Sequence, residues 1–408
     1  MKRNDILLLG ALFLLAFALR FYDIAYPDFR WMDEQGHVPA AVNYWTKGQF
    51  EPDNWDHPPL RHLMLYGFLK VFGDNPYGWR MRNVLFGAVA AVLTCLFAFS
   101  ISGSRKIAAL AGLLLATDPL HIVLSRYTYE EIYGGAFFLA AIVLFLMHRR
   151  RTSWFILSAV FMGCALAIKW YYVPVWVLIC SMALGENKNY RDRGSALFVA
   201  SIYILVPLSV YLLSYYKWFG RGYPFGEFIE FTVNAYHAQQ SYRLENYDQN
   251  LIFVSHASAA EWFLKPIMLG RGTYLGPGKG EFIVYMNNLP VWILTVPSIV
   301  ILSIIAFGRR TIRIGIPAVF FAATYILFLF VKRPVFIYSA VPLLPFAFTA
   351  IAYSFSELAG KFRVKAVSVA ALSVMLAWNL YLYPFVTAKK VPIAPYRYLL
   401  EHSEIIIH

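Results

Sequence analysis

Two adjacent carboxylates, Asp33 and Glu34, stand one helical turn before His37 and are followed by His57-Pro58-Pro59, all in a polar stretch from Trp31 to Arg61 between long apolar runs. Carboxylates in such a setting are costly and are kept where they act. A carboxylate within hydrogen-bond reach of a hydroxyl takes up its proton as the oxygen attacks. Asp33 is the candidate for that base, with Glu34 the next choice. Both also suit helix capping, since Asp is a good N-cap and Glu in a first turn complements the helix dipole. The two prolines after His57 lock the backbone beside the acids. Guanidinium groups grip phosphate oxygens in a fork, and Arg82, Arg126 and Arg333 are candidates for such a clamp. Snorkelling of Arg82 to an interface, or pairing of Arg126 with Glu130 or Glu131, is the structural alternative. The acids and histidines also leave a divalent cation open, with Asp33, His57 and Glu131 as ligands, although no tight ligand spacing marks a metal site.

These residues must be held by something, and composition says what. Of the 408 residues, 59% are hydrophobic and 14% charged, which is the balance of a polytopic membrane protein rather than a soluble domain. The net charge of +13 does not point to nucleic acid, because the basic residues sit in short clusters between apolar runs. Cys95, Cys164 and Cys180 all fall inside those runs and read as small buried hydrophobes.

Apolar runs lie near 6–22, 79–101, 106–122, 132–147, 153–169, 171–185, 195–216, 290–307, 312–331, 335–355 and 364–386. They predict an all-α chain of about eleven transmembrane helices. The first keeps its place as a helix, since no small-x-small cleavage site precedes Arg20. With Lys2-Arg3 inside, the inner connections Ser104 to Lys106, His148 to Arg151, Glu186 to Arg193, Arg309 to Arg313 and Lys361 to Lys365 are all basic, as the positive-inside rule requires. The N-terminus is therefore expected in the cytoplasm and the C-terminus outside. Lys332-Arg333 breaks the pattern, a basic pair on the outer side. The first outer loop, 23–78, has room for amphipathic helices around Val38 to Lys47 and Leu60 to Phe72, segments that lie in the interface. The outer segment 217–289 is too long and too aromatic for a plain connector. Residues 1–408 read as one membrane-embedded domain with no soluble domain, the loops 23–78 and 217–289 forming its active-site face. Tyr127, Tyr129, Trp170, Tyr171, Tyr172 and Trp262 fall at outer helix ends, where an aromatic belt accounts for most of them.

Arg20-Phe21, Ile24, Pro27, Asp33-Glu34, His37, Asp56 to Leu60 and Arg82 to Gly87 resemble, in that order, the start of the protein O-mannosyltransferases, polyprenyl-phosphate-sugar-dependent glycosyltransferases of the GT-C type. The likeness continues through Asp118-Pro119, Ser125-Arg126, Glu131 and Lys169-Trp170. Tyr236-His237, His256 to Ser258 with Trp262 and Pro266, and then Asn288, Pro290 and Trp292 are similar to the family's fourth-loop pattern. Arg333 to Tyr338 matches its Arg-x-x-Phe-x-Tyr. There are departures: Ser339 stands where a His is usual, the spacing from His237 to His256 is long, the Trp-x-Trp-Pro motif is loosened, and the soluble insert of the eukaryotic members has no counterpart.

The resemblance implies a GT-C fold and an inverting transfer of a sugar, with mannose expected, from a polyprenyl-phosphate donor to an acceptor hydroxyl. The acceptor is a protein Ser or Thr or a glycolipid. It implies Asp33 or Glu34 as catalytic residues, Arg333, Arg126 and Arg82 at the donor phosphate, and His37, His57, Asp118, Glu131, Tyr236, His237, His256 and Tyr338 as substrate-orienting residues. A bacterial inner membrane, with the site on the extracytoplasmic side, is the expected location. The competing reading within enzymes is a sister transferase modifying lipid or glycan, like the lipid A aminoarabinose transferases. A flippase or transporter is disfavoured, because the charges gather at one face and no paired repeat is found.

Overall fold

The computed structural model describes residues 3–48, 57–147, 152–186, 193–241, 258–276, 278–331, 335–361, 365–401 and 404–407. Helix α1 (Arg3–Phe21) leads through a turn to α2 (Glu34–Lys47) and α3 (Leu60–Phe72), and then to α4 (Pro76–Ser102), α5 (Arg105–Thr117), α6 (Pro119–Arg126), α7 (Glu130–Met147), α8 (Thr152–Leu166), α9 (Val173–Glu186) and α10 (Arg193–Ser214). The segment that follows carries α11 (Tyr216–Gly220), α12 (Phe225–Ser241) and the strands β1 (Met268–Gly276) and β2 (Lys279–Met286). The chain closes with α13 (Leu289–Trp292), α14 (Thr295–Gly308), α15 (Ile312–Phe330), α16 (Leu344–Lys361), α17 (Lys365–Val386), β3 (Lys390–Pro392), α18 (Arg397–Glu401) and β4 (Glu404–Ile407).

Among the described residues six helical segments are long and apolar enough to cross a bilayer: Arg3–Phe21, Pro76–Ser102, Glu130–Met147, Leu289–Gly308, Ile312–Phe330 and Ile337–Ala359. The pair α5 and α6 makes a seventh if taken as one broken span, and four further apolar helices are shorter. The protein is an integral membrane protein, but length and composition alone do not establish the expected count of about eleven spans. The two amphipathic helices expected in the first outer loop are α2 and α3.

One apolar run, 106–122, is interrupted rather than continuous. Pro119 has no N–H to give to Leu115, and the helix bends by 55° between α5 and α6. Asp118 caps the new start, its Oδ1 accepting from His121 N at 2.9 Å. The carbonyls freed by the break are met by Arg20 of α1, whose Nη1 donates to Ala116 O at 2.9 Å and Nη2 to Leu115 O at 3.2 Å. The same guanidinium reaches Ala16 O, His121 Nδ1 and Ser125 Oγ, so all its donors are engaged in a fully buried position.

Gly87 of α4 makes room for this knot. A Cβ there would fall 2.3 Å from Ser125 Oγ and 2.8 Å from Arg20 Nε. Gly87→Ala is expected to push the guanidinium off its carbonyls and cost about 1–3 kcal/mol, read as a lower melting temperature in detergent.

Beside the helices the chain carries a small sheet. Strands β1 and β2 form an antiparallel hairpin, and β3 and β4 from the C-terminal region flank it in the order β3-β2-β1-β4. Its function in the architecture is local. Tyr26 Oη donates to Glu281 Oε1 at 2.5 Å and Trp31 Nε1 to Tyr285 Oη at 3.2 Å, tying the loop after α1 to β2.

Candidate active site

The loop between α1 and α2 is fixed by two arginines that read its backbone. Arg80 of α4 donates to the carbonyls of Ile24 at 2.9 Å, Pro27 at 2.8 Å and Phe29 at 3.0 Å, and holds both oxygens of Glu34 with Nε–Oε1 and Nη2–Oε2 at 3.0 Å. Arg126 of α6 donates to the carbonyls of Arg20 at 3.0 Å, Tyr22 and Asp23 at 3.1 Å, closing the end of α1. Glu34 also accepts from Trp31 N at 2.9 Å. Glu34 thus neutralises a fully buried arginine and closes the turn that leads into α2.

Asp33 differs. It occupies the N-cap position of α2, yet its backbone is helical and its side chain makes no capping hydrogen bond. The carboxylate lies among charged side chains. Burial, reinforced by the Glu130 and Glu131 carboxylates and opposed by Lys169 and Arg61, pushes its pKa up to about 7. A carboxyl tuned to neutral pH suits general-base work.

Its neighbours come from several other elements. Glu130 and Glu131 open α7; Arg61 Nη1 of α3 lies 2.5 Å from Glu130 Oε1, and His37 Nε2 of α2 lies 3.7 Å from the same oxygen. Burial pulls the His37 pKa down to about 4, so its imidazole is neutral at pH 7. Lys169, following α8, pairs with Glu131. Burial works against its ammonium, but Glu131 and Glu130 outweigh that and hold its pKa above the usual value. Lys169 Nζ lies 5.7 Å from the Tyr338 ring, which packs 5.7 Å from Tyr129; Tyr129 in turn packs 5.6 Å from Tyr285. His57 sits on the α12 side, with Gln239 Nε2 3.1 Å from its Nδ1. Glu131 Oε2 and Arg82 Nη2 are buried with no hydrogen-bond partner among the described residues. Such atoms cost about 1–3 kcal/mol each, which a polar ligand can offset.

The structure thus gathers Asp33, His37, His57, Glu131 and Tyr338 into one cluster, with Arg82 near His37 and Glu130. It separates others. Both terminal nitrogens of Arg126 are engaged by backbone carbonyls. Arg82 lies over the Tyr133 ring at 4.0 Å and donates to Arg61 O at 3.0 Å, which leaves one end of its guanidinium. Asp118 is a helix cap whose other oxygen accepts from Trp292 Nε1 at 2.9 Å, a structural tie between the broken helix and α13. Tyr236 and His237 are exposed on α12. Arg333 and His256 lie outside the described residues. No three His, Cys, Asp or Glu side chains among the described residues form a group able to hold a metal ion. Arg61, Glu130 and Lys169 are the site residues that sequence reasoning missed. Each carried a signal: a charge placed beside or inside an apolar helix has to be paired.

The chain is 24% identical to a polyprenol-phosphate-mannose–protein mannosyltransferase of Corynebacterium glutamicum, over 81% of this chain and 78% of that protein. It is 26% identical to the protein of the same description from Mycolicibacterium smegmatis, over 45% of this chain and 42% of the relative. Among solved structures, the Saccharomyces cerevisiae protein O-mannosyltransferase Pmt1-Pmt2 complex bound to the sugar donor superposes with a TM-score of 0.77 at 12% identity, covering 95% of this chain and 91% of that one. ArnT from Cupriavidus metallidurans bound to undecaprenyl phosphate gives 0.61 at 15% identity, over 92% and 64%. The fold is that of the GT-C membrane glycosyltransferases. The family described as dolichyl-phosphate-mannose-protein mannosyltransferase matches residues 10–222, more than half of the chain, and this protein belongs to that family.

Proposed function

We propose that this enzyme transfers mannose from a polyprenyl-phosphate-mannose donor to the hydroxyl of a protein Ser or Thr, with inversion, on the extracytoplasmic side of a bacterial inner membrane. The observation that carries the mechanism is Asp33: a carboxyl that makes no capping hydrogen bond and whose pKa is raised to about 7 among Glu130, Glu131, Lys169 and Arg61. Its carboxylate accepts the acceptor's hydroxyl proton. The freed oxygen forms a bond to the anomeric carbon as the bond from that carbon to the phosphate oxygen breaks, and the polyprenyl phosphate leaves with the electron pair. Fixed positive charge stabilises that leaving group. Arg333 is the proposed phosphate ligand, because it lies five residues before Tyr338, a residue that packs against Tyr129. The N-terminus lies in the cytoplasm on this reading, supported by the basic inner connections.

The test is transfer of label from synthetic polyprenyl-phosphate-mannose to an acceptor extract, with products separated into protein, lipid and released sugar. Label on protein supports the assignment; label confined to lipid moves the enzyme to the ArnT-like branch. The pH profile adds an independent expectation. A base must be ionised to act, so kcat/KM rises about tenfold per pH unit below 7 and levels off above it. An Asp with an ordinary pKa would instead give a flat profile from pH 6 to 8.

A further inference from the structure

The surface of α12 falls into three sectors. At about 100° per residue, Phe225, Ile229, Val233 and Tyr236 share an arc of about 80°, and they are exposed by 58, 51, 47 and 53%. A second sector is buried: Phe228 packs 4.8 Å from the Tyr215 ring, and Gln239 meets His57. A third is polar and exposed, formed by Glu227, Glu230, Asn234 and His237. A helix with one face on protein, one on water and a separate apolar ridge has a third neighbour.

That neighbour is identified by continuity. Helix α10, which precedes α11 and α12, exposes Ile204, Leu205, Leu208 and Leu213, the last by 67%; in an integral membrane protein such a face meets lipid. At its end Tyr216 is exposed, and Lys217 Nζ stands 3.7 Å from the Trp45 ring. Aromatic and basic side chains at a helix end mark the bilayer boundary. The buried cluster of Tyr44, Tyr215, Trp218 and Phe228 pins α12 directly to this end.

We propose that α12 lies in the lipid–water boundary on the side of the active site, with the Phe225, Ile229, Val233 and Tyr236 ridge in the acyl region, so that Gln239 on the adjoining face holds His57 at headgroup level. The occupant of the ridge is the bilayer itself. A helix of this kind sinks its apolar face about 5–10 Å below the headgroups. The consequence for the enzyme is positional: His57 is held at the depth where a lipid-linked phosphate lies.

The experiment places the photoreactive residue p-benzoylphenylalanine singly at Phe225, Ile229, Val233, Tyr236, Glu230 or Asn234 of the full chain. Each variant is reconstituted in phosphatidylethanolamine–phosphatidylglycerol vesicles and irradiated, and phospholipid adducts are measured by mass spectrometry. The four ridge positions are expected to give about tenfold more lipid adduct than Glu230 and Asn234, as for an interfacial helix. Equal yields at all six positions, adducts to a second copy of the chain, or no lipid adduct at the ridge would overturn the placement. The cross-link does not depend on turnover, so its failure is distinguishable from failure of the transfer reaction.

Discussion

Asp33→Asn lowers mannosyl transfer by about a thousandfold or more, within the range that general-base catalysis supplies and its neighbours sharpen, while leaving the protein folded. The second half of that expectation follows from the sign of the Asp33 shift. Its pKa is raised to about 7 in the folded chain, against about 3.9 for an unperturbed Asp. Between those values the unfolded chain has released the proton and the folded chain has kept it, so stability falls as pH rises through this window and stays reduced above it. Asn cannot ionise. The variant should therefore melt at the same temperature as the parent at pH 4 and at a higher temperature at pH 8. A purely capping role predicts little change at either pH, because Asn caps a helix about as well as Asp. Melting curves at the two pH values, set beside the transfer assay, separate the accounts, and a variant that loses stability and activity together at pH 8 would sink the assignment of Asp33 as base.

The helices were legible because an apolar run of the right length has few alternatives in a bilayer, and α2 and α3 because their pattern is amphipathic between two such runs. The hairpin was not. The stretch from Met268 to Met286 carries Gly276 and Gly278 between β-forming residues such as Tyr274, Phe282, Ile283 and Val284, but a search for spans is blind to strands of eight or nine residues. The break at Asp118-Pro119 was written in the proline, yet the hydropathy on either side reads straight through it.

At the site, residue types found the neighbourhood but not the division of labour. Asp33 and Glu34 are adjacent and chemically alike; only the fold shows that one lies among Glu130, Glu131, Lys169 and Arg61 while the other faces Arg80. The same holds for the arginines. Charge alone makes Arg20, Arg80, Arg82 and Arg126 equal candidates for phosphate, whereas carbonyl oxygens left by a helix end, a helix break and an irregular loop claim three of them. Which carbonyls need a donor is a property of the backbone path, and that path is set by contacts far apart in sequence. Glu130 was passed over for Glu131 for a related reason, since at the first turn of α7 both acids are buried and each finds its own cation.

Glu34 and Arg80 give the second large effect, on folding rather than on chemistry. Both side chains are fully buried, so Glu34→Gln leaves a guanidinium without its counter-charge and is expected to cost about 3–5 kcal/mol, a loss of folded protein on extraction into detergent. The double variant Glu34→Gln with Arg80→Met removes the orphaned charge and should recover part of that stability. Recovery is incomplete, because Arg80 also donates to the carbonyls of Ile24, Pro27 and Phe29, and no methionine replaces those bonds. The loop they hold carries Asp33, so the folded fraction of the double variant should show weakened transfer with the pH profile of the parent, since the base itself is unchanged. Folded, stable Glu34→Gln protein without transfer activity, alongside an active Asp33→Asn, would reverse the two roles and make Glu34 the base.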